Sequence, residues 1–215
     1  MWLKTIDDEA VRVAVGLRLG LDLRVPHECH CGSRVDVRGV HSFVCKRAPG
    51  RTSRHHAFND LIARAFSSAG FPVTKEPSGL FRSDGKRPVG LTLVPWSSGK
   101  AVCWDVTVTC PLADSYISAA ARESGAATEI AASRKEEKYA DLDGRYIFEP
   151  IAIDTLGILN TSARQLLCDL GRKISEHTGK SEKRAFRFKG ARCSCNVSMP
   201  YYFKTVYLPL TAPAD

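Results

Sequence analysis

The run Ala101-Val102-Cys103-Trp104-Asp105-Val106-Thr107-Val108 sets the architecture expected of the chain. Its even positions are Val, Trp, Val and Val, so in an extended backbone they line one face and seek a core, while Asp105 and Thr107 fall on the other. Upstream, Val89 to Val94 reads as a second strand, and Pro95-Trp96-Ser97-Ser98-Gly99 as the turn of a hairpin. Centring that turn on Ser97 sets position 89 across from position 105, with Cβ atoms roughly 5 Å apart. A carboxylate on so apolar a strand is costly unless it is solvated, paired or holding a cation. Acids at both positions would share a divalent metal that activates water for attack on phosphate. Position 89 is Val, so half of such a site is present. The competing reading of Asp105 is a half-exposed strand residue paired with a nearby Lys or Arg.

On the N-terminal side of the hairpin, Ser53 reads as the N-cap of a helix that carries Phe58, Leu61, Ile62, Ala65 and Ala69 and is stopped by Gly70 and Pro72. Short strands are expected at Val73 to Glu76 and Leu80 to Arg82, followed by the Asp84-Gly85 turn; Asp84 is a turn residue there, not a substitute for the missing acid. Glu76 is either a further metal ligand or a solvated residue before Pro77. On the C-terminal side a second helix is expected from about Ser118 to Ala140, and a strand at Tyr146 to Ile153. A third helix is marked by Ala163, Leu166, Leu167, Leu170 and Ile174 and closed by Gly179. The resulting order is α-β-β-β-α-β-α. On the second helix Arg134 and Lys138 share a line, with Lys135 on the next. Their charges could polarise a phosphate or simply form a solvated helical face.

A chain of 215 residues that is 44% hydrophobic, with three Trp and nine Phe, can build a core, which excludes wholesale disorder. Against 23 Asp and Glu stand 31 Lys and Arg, a net charge of +8, which favours an anionic partner such as nucleic acid. Neither a signal-peptide pattern nor a membrane-length apolar run is visible, so the chain is expected to be intracellular, not secreted, with no membrane partner. Its cysteines are then thiols or metal ligands rather than a disulfide framework. Cys29, Cys31, His41 and Cys45 supply three thiolates and one imidazole, the closed set a structural Zn²⁺ prefers. Gly32 and Gly39 permit tight turns, His27 or His30 could replace a ligand, and unliganded thiols are the alternative. Cys103, Cys110 and Cys168 read as core or strand thiols, and Cys193 and Cys195 as incidental. Three regions follow: residues 1–50 with a short helix and the Cys/His module, a core over residues 51–180, and a basic, irregular tail over residues 181–215.

Arg54-His55-His56-Ala57-Phe58-Asn59-Asp60-Leu61, Lys86-Arg87-Pro88-Val89-Gly90, Trp104-Asp105-Val106-Thr107-Val108 and Arg134-Lys135-Glu136-Glu137-Lys138-Tyr139 occur in this order. Together they resemble the PD-(D/E)XK-type endonuclease domain that follows the reverse transcriptase in site-specific non-LTR retrotransposons, over about Asp8 to Arg187. The resemblance implies a restriction-endonuclease-like α/β core behind a small zinc knuckle, and a domain that nicks a DNA target strand. It assigns the catalytic Mg²⁺ to Asp105, and to Lys138 with Lys135 the lysine role that a shorter motif places at Thr107. Arg54, His55 and Asn59 would contact DNA backbone, which gives affinity rather than sequence reading. The implied partners are DNA, with RNA as a second candidate, and a fused reverse transcriptase, in the nucleus. Two departures stand out: Val89 replaces the motif Asp, and Phe188 to Asp215 does not match the family's ending. Both suit a decaying genomic copy with impaired cutting. Two other readings compete: a non-catalytic nucleic-acid-binding module using the zinc knuckle and the basic faces around Arg51, Arg54 and Lys135, or a decayed transposon remnant.

Overall fold

A computed structural model describes residues 8–48, 50–80, 87–142 and 144–179. The elements in chain order are α1 (Asp8–Leu19), β1 (His27–Glu28), β2 (Arg34–Val35), α2 (His41–Val44), α3 (Gly50–Ser68), β3 (Val73–Lys75), β4 (Gly90–Thr92), β5 (Val102–Thr109), α4 (Ile117–Ala120), α5 (Ala126–Lys138), a 3₁₀ turn (Ala140–Leu142), β6 (Ile147–Asp154) and α6 (Thr161–Thr178). The chain is mixed α/β. Strands β3, β4, β5 and β6 form one sheet in that order, antiparallel up to β5 and parallel between β5 and β6. From α3 onward the order matches the α-β-β-β-α-β-α expectation, with the short α4 added.

Strand β5 lies between β4 and β6, and helices cover both of its faces. Val102, Trp104 and Val106 join Phe58, Ile62 and Phe66 of α3 and Leu166, Leu167 and Leu170 of α6 in the principal core. On the opposite face Cys103 packs with Tyr139, Leu142 and Leu80, and Ala152 of β6 packs against Ala131 and Ala132 of α5. The alternation of β5 therefore sorts side chains between two buried layers, not between core and water, and Asp105 is only 3% exposed. Trp104 organises the principal layer: its ring stacks on Phe66 at 4.9 Å, and its indole N–H donates to Asn59 Oδ1 at 2.9 Å. A Cβ on Gly90 would fall 2.0 Å from that indole, so glycine is what lets β4 run beside it.

Several expectations change in the structure. Helix α3 begins at Gly50, so Ser53 lies inside its first turn and is not its N-cap. The expected Ser118–Ala140 helix is interrupted at Gly125, whose φ of 92° lies in the left-handed region that favours glycine, and α5 starts afresh behind it. Leu80 packs in the second cluster without joining a strand, and Phe81, Arg82 and Asp84 lie outside the described residues, as does the whole tail with Cys193 and Cys195. The N-terminal module shares the principal core through Val13, Ala14 and Phe43, so no gap in packing separates it from the sheet domain. Among the described residues no helix is long and apolar enough to cross a membrane.

Candidate metal centre and the Asp105 cluster

The β1–β2 hairpin and α2 bring four expected ligands together. The chain turns between Cys29 and Ser33, where Gly32 N–H donates to Cys29 O at 2.8 Å and Cys29 N–H to Ser33 O at 2.9 Å. Gly32 and Gly39 have φ values of 85° and 70°, as the tight turns require. His41 opens α2, and Cys45 closes it with its N–H on the His41 carbonyl. Cys29 Sγ lies 3.7 Å from Cys45 Sγ and Cys31 Sγ lies 3.1 Å from His41 Nε2, with all four ligand atoms within 4.8 Å of one another. Tetrahedral zinc with Zn–S bonds of about 2.3 Å needs sulfur atoms about 3.8 Å apart, so the four groups can hold a metal such as zinc. Thiolate donors favour Zn²⁺ over hard cations such as Mg²⁺. The Ser33 hydroxyl, hydrogen-bonding its sulfur, is the main cause that pulls the Cys31 thiol down to about 6. His27 and His30 stay outside the cluster; His27 Nδ1 is 3.1 Å from the Val25 carbonyl.

The second cluster forms where β5 meets α5. Asp105 Oδ2 accepts a hydrogen bond from Lys135 Nζ at 2.7 Å, and Lys138 Nζ approaches the same oxygen at 3.9 Å. The two lysines are three residues apart on α5, which places both above the strand face that carries Asp105. Lys138 also donates to Tyr139 Oη at 2.7 Å, and that hydroxyl in turn donates to the Arg87 carbonyl at 2.9 Å. Buried Tyr139 thereby ties the end of α5 to the segment that enters β4. The sequence marks this tyrosine only by its place at the end of the Arg134–Tyr139 motif, directly after the basic helical face. His55 lies close enough to feel both Asp105 and Lys135: burial pushes its imidazole down in pKa, and the Asp105 charge partly offsets this.

The inferred hairpin register holds at Gly90–Trp104 and Leu91–Cys103, where the ladder ends. Val89 lies one step beyond it: its N–H donates to the Trp104 carbonyl at 3.0 Å, its own carbonyl accepts from Glu76 N–H at 3.0 Å, and its side chain packs against the principal core. Glu76 and Val89 thus follow one another across the same end of β3 and β4. Across to β5, Val89 bonds Trp104 and not Asp105, and its side chain joins the layer opposite Asp105, so the expected facing of positions 89 and 105 is not formed. Glu76 has a φ of 50° and forms an ion pair with Arg87, whose hydrogen bond and then its charge lower the Glu76 pKa; its side chain is 55% exposed.

The expected backbone-contacting residues separate. Arg51 is exposed and His55 half-buried. Arg54 is buried, its guanidinium 5.6 Å from the centre of the Phe43 ring. Asn59 is buried too, accepting from Trp104 and reaching the Val89 carbonyl at 3.4 Å through Nδ2. As placed, the Arg54 and Asn59 side chains pack α3 against its neighbours. Neither a protein-family model nor a curated protein sequence matches the chain.

Proposed function

We propose that the chain is a restriction-endonuclease-like domain of retrotransposon type, built for Mg²⁺-dependent nicking of a DNA target strand and impaired in this copy by Val89. The observation that carries the reading is the meeting of Asp105, Lys135 and Lys138: a strand carboxylate and two helix lysines converge on one oxygen, on a sheet whose element order suits such a nuclease. The adjacent Cys/His group suits the zinc knuckle expected before it. The donor set does not fit Mg²⁺ as it stands. A hard divalent cation needs several oxygen ligands, whereas here one carboxylate is engaged by ammonium groups and position 89 carries no donor.

The test is plasmid nicking in Mg²⁺ by the wild-type protein and by Val89→Asp, with thermal melting to confirm the fold of the variant. Nicking is expected above background in Val89→Asp and absent from the double variant that also carries Asp105→Asn. A folded Val89→Asp protein that leaves the plasmid supercoiled rejects the nuclease assignment. The charge compensation of Asp105 favours one alternative, a nucleic-acid-binding domain without catalysis. That alternative predicts DNA binding that weakens steeply with salt and survives without Mg²⁺.

A further inference from the structure

The cluster at Asp105 holds more positive than negative charge, and that sign selects its ligand. One carboxylate oxygen faces two ammonium groups, at 2.7 and 3.9 Å. The Glu76 carboxylate, the other candidate acid, is engaged by Arg87 and adds no free negative charge. The Asp105 side chain is 4% exposed, while those of Lys135 and Lys138 keep 24% and 22% of their surface. An approaching ion therefore meets the ammonium groups first, with the carboxylate behind them. A divalent cation entering here would have to displace Lys135 and remain beside two like charges. An oxyanion needs no such rearrangement: each ammonium group carries three N–H donors, Lys135 gives one to Asp105 and Lys138 one to Tyr139 Oη, and an anion adds to these bonds with a charge of the favourable sign. Thr107, two residues along the same face of β5, has a buried hydroxyl with no hydrogen-bond partner among the described residues.

We propose that Lys135 and Lys138, held in place by Asp105, form a metal-free anion site that takes a phosphate oxygen of a nucleic-acid backbone. Asp105 acts as the positioning residue for the two ammonium groups and does not ligate a cation. The proposal depends on the nuclease reading only for the kind of polymer that supplies the phosphate; the charge balance stands apart from it.

The experiment measures binding of a short DNA duplex to the whole chain in EDTA, with inorganic phosphate as a second probe, followed by NMR shifts of the lysine ammonium groups. Wild-type protein is expected to bind both probes, and added Mg²⁺ is expected to leave its DNA affinity unchanged at constant ionic strength. Lys138→Gln is expected to weaken DNA binding about tenfold, the value of one charge-assisted hydrogen bond. Because Lys138 is the more distant partner of Asp105, this variant leaves the 2.7 Å Lys135 pair in place, and thermal melting checks its fold, since the Lys138 bond to Tyr139 Oη is lost. Lys135→Gln is expected to weaken binding at least as much. Val89→Asp adds a negative charge, so it is expected to lose affinity in EDTA and to gain Mn²⁺ binding. Unchanged DNA and phosphate affinity in folded Lys138→Gln and Lys135→Gln proteins overturns the anion site, as does a tenfold tightening of wild-type binding by Mg²⁺. If that happens while Val89→Asp nicks DNA, the nuclease reading survives alone. If the lysine variants lose affinity while folded Val89→Asp neither binds Mn²⁺ nor nicks, the anion site survives alone.

Discussion

Asp105 illustrates how much one side chain depends on its partners. A carboxylate 3% exposed in the middle of an apolar strand is tolerable here because Lys135 approaches to 2.7 Å. Asp105→Asn leaves two ammonium groups facing a neutral amide, and their partial access to water limits the damage. The expected loss is about 2–3 kcal/mol, below the usual cost of breaking a fully buried pair, and it is checked by urea unfolding of the two proteins. Glu149 on β6 is a half-buried acid of the opposite kind. Burial raises its pKa, the Ser162 hydrogen bond offsets part of this, and Oε1 has no hydrogen-bond partner among the described residues. With the folded-state pKa above the unfolded one, the folded protein binds more protons than the unfolded chain as pH rises through the carboxylate range, so stability falls there. Glu149→Gln is accordingly expected to melt higher than wild type at pH 7 and at the same temperature near pH 4. Equal melting curves at both pH values would remove Glu149 as a source of strain.

Two elements differ in how they are held. The β1–β2 hairpin has two residues per strand, and α2 is a single turn, so neither can persist on its own hydrogen bonds. A metal held by Cys29, Cys31, His41 and Cys45 would tie them together, and its binding would contribute directly to folding. One zinc per chain is expected by elemental analysis, with loss of metal and a lower melting temperature in Cys29→Ser and in Cys45→Ser. A full zinc complement in either variant would reject the assigned set. The segment between α4 and α5 shows the limit of pattern reading. Helical periodicity continues through residues 118–140, yet left-handed Gly125 resets the backbone, and the Thr128 hydroxyl donates to its carbonyl at 2.7 Å. That reset gives α5 its own direction, which carries Lys135 and Lys138 over β5.

In the molecule as a whole, the N-terminal module and the sheet domain share one core, because Val13 and Phe43 pack with Phe58 and Trp104 in a single cluster. A single calorimetric transition is expected for the metal-loaded protein, and Val13→Asp, which places a charge at a 7% exposed position, is expected to lower it by several degrees. Two resolved transitions, with only the lower one shifted, would instead make the module an independent unit. Periodicity and turn chemistry suffice to place the helix that carries Phe58, Leu61, Ile62 and Ala65, the hairpin, its register through Gly90 and Leu91, the last helix with its Gly179 cap, and the Cys-Cys-His-Cys set. These are local properties: a face repeats every two or 3.6 residues, a glycine permits one backbone conformation, and ligands close in sequence need only a tight turn. The second buried face of β5, the burial of Arg54 and Asn59, and the convergence of both lysines on one oxygen of Asp105 required the folded chain. Each depends on which helix lies over which strand, and that is set by packing between residues 30 or more positions apart in the chain, where no local period reaches.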